Sequence, residues 1–405
     1  MTLPRKPLRL LAGGAALLGL AACAPGGGAG PAGAPTARPT ATATASPAPA
    51  APAKTAPPAP AADWAGETLA AMTLEQKAGQ LVMAPLTAAS DADGVRRAIA
   101  QRHVGAVLLL GGGWGSAAQV KQVVDSLSGP DGAAPGLWVA VDQEGGQVQR
   151  LDGAGFDAIP AALEQGRWDA AELERRARTW GEQLAAAGVN LDLAPVVDTV
   201  DPAHRAANAP IGALGRDYGL DAAGNAEHAQ AFARGLAGAG VGAALKHFPG
   251  LGRVQGNTDF TAEGTTDQAT GPDDPAVQAF AQAMAAEPAM VMVSLATYAK
   301  LDPASPAALS PAVVGGLLRG QLGWQGVVIS DSMTAAALQQ VPASQRAVRF
   351  VEAGGDIACF GDLADALAAL DALVERAGSD EAFAALVEAA AGRVLAAKAR
   401  QGLGR

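Results

Sequence analysis

The chain has 405 residues, enough for a large core in either one large barrel or two ordinary domains. Its 29 basic and 39 acidic residues leave a net charge of −10, which argues against nucleic acid as a partner because a phosphate binder needs a basic face. Its 2 cysteines are too few for a disulfide framework.

Met1 to Cys23 reads as an export signal. Arg5, Lys6 and Arg9 form a positive start, and Leu10 to Leu20 is an apolar run too short to span a bilayer stably. It ends in Leu20-Ala21-Ala22-Cys23, which resembles the bacterial lipobox. Residues 1–22 are therefore expected to be a lipoprotein signal peptide and Cys23 the lipidated residue, holding an exported chain at the outer face of the cell membrane. An ordinary secretory signal with an incidental cysteine is the alternative. Residues 23–62 are dominated by Ala, Pro, Gly, Thr and Ser, and cannot bury enough apolar surface to offset their ordering entropy. They are expected to be a disordered tether, with a processed pro-segment as the other option.

From residue 63 to 405 short apolar runs alternate with alanine-rich helical stretches. The predicted strands are Gly79–Met83, Val104–Leu110, Leu137–Val141, Val189–Ala194, Gly242–Lys246, Met290–Ser294, Gly326–Ser330 and Asp356–Phe360. Ala170–Ala187, Ala222–Ala239 and Ser344–Ala353 have the length and composition of helices. About eight strand–helix units in one domain predict an α/β fold, a (β/α)8 TIM barrel. A doubly wound open sheet is the runner-up, weakened because no Gly-x-Gly-x-x-Gly opens a helix after the first strand. Cys359, inside an apolar run, reads as a small buried hydrophobe.

Barrel chemistry sits at the C-terminal ends of the strands. Those ends carry Asp142-Gln143-Glu144-Gly145-Gly146 with Arg150, then Asp198, Arg216, Lys246-His247-Phe248-Pro249-Gly250 and Ser330-Asp331-Ser332. This ordered set resembles glycoside hydrolase family 3, and most of all its single-barrel bacterial β-N-acetylhexosaminidases that trim peptidoglycan fragments. The resemblance runs from about Trp64 to the end of the chain. It implies that Asp331 is the nucleophile of a retaining mechanism and that Asp142, Arg150, Arg216, Lys246 and His247 grip the sugar. A carboxylate with fixed cationic donors suits sugar hydroxyls, which both donate and accept. The competing reading of these charged residues is a structural ion-pair network. Asp331 also has one as a helix cap.

Glu144 is either a second catalytic carboxylate or a partner that supports its loop. Asp198 reads as a loop-stabilising group, and His103, His204 and His228 lack any motif. Trp114, after three glycines, is a candidate for stacking on a sugar. One part of the family pattern is missing. The subgroup carries Asp-Ser-His on the loop after Lys-His-Phe-Pro-Gly, with the histidine as general acid/base, whereas the aligned residues here are Asn257-Thr258-Asp259. Arg253 likewise replaces a usual acidic residue. Asp259 fills the histidine's slot and is the expected acid if burial raises its pKa, with Glu263 a further candidate on the same loop.

The sequence thus predicts a monomeric, membrane-tethered glycosidase acting on β-linked amino sugars, without metal or organic cofactor. A non-catalytic muropeptide-binding protein, a β-glucosidase and a glycoside phosphorylase remain as alternatives.

Overall fold

The computed structural model describes residues 61–90, 92–127 and 136–404. The signal peptide, Cys23 and nearly all of the tether lie outside the described residues, and a helix, Ala61–Ala71, begins two positions inside the span read as tether. A second helix, Leu74–Gly79, opens on a capping box in which Thr73 and Gln76 exchange side-chain-to-backbone bonds.

Eight parallel strands follow, each with a helix after it: β1 Val82–Thr87, β2 Ala106–Leu110, β3 Trp138–Val141, β4 Leu191–Asp192, β5 Gly242–Phe248, β6 Met290–Val293, β7 Val327–Ser330 and β8 Ala358–Cys359. They hydrogen-bond in chain order from β1 to β7, and β8 returns to β1 through Val82↔Ala358 and Met83↔Cys359. A bridge between Ile329 and Ile357 joins β7 to β8 and closes the cylinder. The fold is a (β/α)8 barrel.

Strand periodicity divides the side chains into two apolar layers. Met83, Ala106, Leu108, Trp138, Ala140, Ala244, Met290, Met292, Val327 and Ile329 fill the barrel interior, while Val82, Val107, Val139, Val291 and Val328 pack outward beneath the helices. The last helix, Glu381–Arg400, sends Val394 and Ala397 into the inner layer. There the Trp138 indole donates to Gln401 Oε1 at 2.7 Å, and Lys398 Nζ donates to Gln80 Oε1 at 2.7 Å and Gly105 O at 2.8 Å. Burial without a carboxylate partner pushes the Lys398 amine down to about 7.

Predicted and observed helices agree closely: Ala170–Ala186, Ala222–Gly238 and Ala343–Glu352. The first two start on Asp169 and Asp221, whose carboxylates accept from Glu172 N and Gly224 N. The strands needed more correction. The first was expected at Gly79–Met83, but Gly79 ends a helix and packs on the backbone of Arg102 and His103, so close that a Cβ would lie 2.4 Å from the His103 carbonyl. The strand continues instead through Pro85, a residue that ordinarily marks a strand's end. The fourth strand is shorter than Val189–Ala194 because Pro195 breaks the ladder, which resumes as one bridge between Val196 and Lys246. The helix after β6, Ala312–Gln321, is wound as a π-helix, with Gly316 N donating to Pro311 O at 2.9 Å.

Candidate active site

The same periodicity that fills the barrel builds its mouth. Trp138 and Ala140 point inward on β3, so the next inward position is Asp142; Ala244 on β5 leads to Lys246, and Val327 and Ile329 on β7 lead to Asp331. A register irregularity between Leu245 and Phe248 lets His247 join Lys246 at the mouth. Asp142, Arg150, Arg216, Lys246, His247, Asp259 and Asp331 all line one cavity of about 450 Å³, within the ~300–1,000 Å³ range of small-molecule sites.

Asp142 begins a short hairpin of Gln143–Gly145 against Val148–Gln149. Gly145 and Gly146 turn it with φ of +103° and +57°, and a Cβ on Gly145 would lie 2.4 Å from Pro160 O. Gln143 clamps the hairpin base, donating to Leu151 O at 2.7 Å and accepting from Leu151 N at 3.0 Å. The turn inserts Glu144 between two cations. Arg216 grips it through Nε at 2.9 Å and Nη2 at 2.7 Å, and Lys246 Nζ lies 2.6 Å from Glu144 Oε1 and 2.6 Å from Asp142 Oδ1. Burial alone would raise the Glu144 carboxyl, but the Arg216 and Lys246 charges outweigh it and hold the group well below the usual range. Burial opposes the charge on Lys246, yet Asp142 and Glu144 raise its pKa. Asp192 lies under this cluster with Gln143 N on one oxygen at 3.0 Å and no partner on the other; burial pushes its carboxyl up to about 8.

His247 is held from its other side. Its Nδ1 lies 2.7 Å from Asp198 Oδ2, and Asp198 Oδ1 also accepts from Leu251 N at 2.8 Å. Arg216 Nη2 approaches Nε2 at 3.3 Å. Arginine only donates, so this contact assigns Nε2 as acceptor and the ring hydrogen to Nδ1 and Asp198. The Arg150 Nε is buried at the cavity without a partner in the protein.

Asp331 follows β7 with its backbone N–H on Val293 O at 2.9 Å and one carboxylate oxygen accepting from Ser332 N at 2.8 Å. Asp259 reaches the same cavity from the loop after β5. Its N–H donates to Asn257 Oδ1 at 2.9 Å, and Ala336 N and Ala337 N, just past β7, donate to Asp259 O at 3.3 Å and Thr258 O at 3.0 Å. Asp259 is itself exposed at the cleft, yet the protein crowding around it and then the Asp331 charge push its carboxyl up to about 6, against Arg216 and His247.

Several readings resolve here. Glu263, the other candidate acid, sits on the same loop but does not line the cavity. Trp114 does not line it either; it is buried, its indole donating to Gly111 O at 3.1 Å, so it offers no face to a sugar in this cavity. Glu144 and Asp198 serve their loops, and Arg253 pairs with Asp274 at 2.9 Å. His228 bonds to Gly224 O and Trp168 O at 3.0 Å each and does not line the cavity. Sequence reasoning missed Asn208, whose amide donates to Leu251 O and Val254 O at 2.7 Å each while its Oδ1 accepts from Gly212 N at 2.7 Å. It stitches the Arg216 segment to the Asp259 loop, and no periodicity or motif marks it. Among the described residues no cluster of three His, Cys, Asp or Glu side chains is placed to hold a metal ion.

Residues 73–397 match the model of the glycosyl hydrolase family 3 N-terminal domain. The chain belongs to glycosyl hydrolase family 3. It is similar to the beta-hexosaminidase LpqI of Mycobacterium tuberculosis, 32% identical over 324 residues that cover 76% of this chain and 79% of that protein. A beta-hexosaminidase of Stenotrophomonas maltophilia is 33% identical over 60% of this chain and 74% of its own. The solved beta-N-acetylhexosaminidase of Beutenbergia cavernae superposes with a TM-score of 0.77 at 46% identity, covering 81% of this chain and 98% of that one.

Glu144 generates a direct prediction for the family 3 barrel. Removing the carboxylate that bridges two largely buried cations leaves Arg216 without a contacting carboxylate and Lys246 with Asp142 alone, which costs about 3–5 kcal/mol. Glu144→Ala should lower the unfolding free energy by that amount in urea titrations near neutral pH. A change below about 1 kcal/mol would show that the bridge does not hold the mouth together.

Proposed function

We propose that this chain is a retaining β-N-acetylhexosaminidase acting on cell-wall-derived amino-sugar glycosides, with Asp331 as nucleophile and Asp259 as general acid/base. One observation carries the reading: two carboxyl groups from different strand-end loops line one cavity, and the Asp259 carboxyl is pushed up to about 6. The likeness to named beta-hexosaminidases supports the amino-sugar part. A carboxyl of raised pKa in the slot of the missing histidine favours an enzyme over a sugar-binding protein.

In the first step an Asp331 oxygen bonds to the anomeric carbon as the glycosidic bond breaks. The bonding electrons leave with the glycosidic oxygen, which takes the Asp259 proton. In the second step the Asp259 carboxylate removes a proton from water, the water oxygen bonds to the anomeric carbon, and Asp331 is released with net retention. Asp142, Arg150 and Lys246 hold the sugar hydroxyls through charge-assisted bonds, Arg150 Nε being a buried donor with no partner in the protein, and the neutral His247 ring adds an acceptor at Nε2. An anionic base disfavours phosphate as the acceptor, since like charges repel, so water is preferred and the reaction is hydrolysis.

Trapping with a 2-fluoro glycoside followed by peptide mass spectrometry should place the sugar on Asp331; label on Asp142 or Glu144 would contradict the assignment. Asp259 must carry its proton in the first step, so kcat/KM for a poor leaving group should fall as pH rises through about 6. Asp259→Ala should lower kcat/KM, which reports the first step, by roughly 10²–10⁴-fold for alkyl glycosides and far less for dinitrophenyl glycosides. Equal slowing of both would remove Asp259 from the role.

The reading extends to location: the mature chain is anchored through lipid on Cys23, supported by the apolar run that ends in Leu20-Ala21-Ala22-Cys23. A Cys23→Ala chain that remains in the membrane fraction would contradict the anchor.

A further inference from the structure

We infer that Phe260 is the platform for the leaving-group sugar, so that the chain selects a pyranose on the reducing side of the scissile bond. This rests on the reading of Asp259 as the leaving-group acid. Phe260 is 82% exposed, and the other exposed large hydrophobic among the described residues is Leu386, on the last helix. Single exposed apolar side chains are ordinary on protein surfaces. Phe260 differs in its place: it lines the same cavity as Asp331 and is the residue after Asp259.

Its backbone is held at that place. Phe260 N and Thr261 N both donate to Asn257 O at 3.0 Å, and Gln255 N and Gly256 N both donate to Gly264 O at 2.9 Å. A Cβ on Gly256 would lie 2.0 Å from Glu263 O, so the loop neck closes only around glycine. The bonds from Ala336 N and Ala337 N to Asp259 O and Thr258 O fix the tip against the segment that carries Asp331.

The chemistry then sets the side. A leaving-group acid must meet the glycosidic oxygen, the atom shared by the bound sugar and the group that departs. Asp142, Lys246 and His247 hold the bound sugar on the barrel side of that oxygen. Phe260, beside the acid and open to solvent, stands where the departing group lies. One face of a β-linked pyranose presents mainly C–H groups, which stack on an aromatic ring and cover it from water. Methyl and other small leaving groups are too small to cover the ring.

The test compares kcat/KM for a β-1,4-linked N-acetylglucosamine disaccharide with that for methyl β-N-acetylglucosaminide. Phe260→Ala should lower the disaccharide-to-methyl ratio roughly ten- to a hundred-fold, the scale of burying one phenyl side chain. Phe260→Trp should restore it. An unchanged ratio overturns the inference, whether both substrates slow together or neither does. Disaccharide binding to the Asp331→Asn protein, measured by calorimetry, separates this from the reading beneath it. If the wild-type chain cleaves neither substrate while Phe260→Ala still weakens disaccharide binding ten-fold or more, the hydrolase assignment fails and the platform stands. Undiminished binding in that variant overturns the platform as well.

Discussion

Two cations, Lys246 and Arg216, are buried at the mouth of the barrel, and the Glu144 carboxylate between them makes that arrangement tolerable. An isolated buried charge costs several kcal/mol, so each cation here needs an acid within hydrogen-bond reach. Glu144 supplies one to both, and it reaches them only because Gly145 and Gly146 turn the hairpin sharply after it. Lys246 then orients Asp142, and Arg216 steadies His247, which Asp198 holds from the opposite side. Each sugar-facing group proposed above owes its position to that bridge or to its neighbours. Asp192, beneath them, shows the limit of the arrangement: a further carboxyl in the same low-dielectric space is pushed up to about 8 and left with one orphaned oxygen.

The same principle separates the two carboxyls proposed above for the chemistry. Asp331 extends an inner-facing row of β7 and keeps a backbone N–H on one oxygen. Asp259 arrives on a loop pinned across the barrel mouth, where the protein crowding around it and the neighbouring Asp331 charge favour its neutral form. In the proposed mechanism one residue type serves as both nucleophile and acid because the loops place the two carboxyls in unlike surroundings.

Much of this was legible from residue order. The inward rows Trp138-x-Ala140-x-Asp142 and Val327-x-Ile329-x-Asp331 carry their own periodicity, and the charged residues at strand ends stand out against apolar runs. What stayed hidden has physical causes. Pro85 disguises the middle of β1 as a break, because a missing N–H is harmless only once the ladder is known. Glu144 could not be separated from a catalytic acid, since its role depends on Arg216, 72 positions away in the chain. Trp114 after Gly111-Gly112-Gly113 suggested an exposed stacking ring, but the glycines instead let its indole fold back onto Gly111 O. Asn208 and Phe260 act through loop geometry, which leaves no periodic mark.

The division of labour between Asp331 and Asp259 is tested most directly by azide. In Asp259→Ala, acting on an activated β-N-acetylglucosaminide, the glycosyl-enzyme should form and then persist for want of a base. Sodium azide needs no base, so it should restore turnover and give the β-configured glycosyl azide. Failure of azide to accelerate the variant, or formation of the α-azide, would contradict the account.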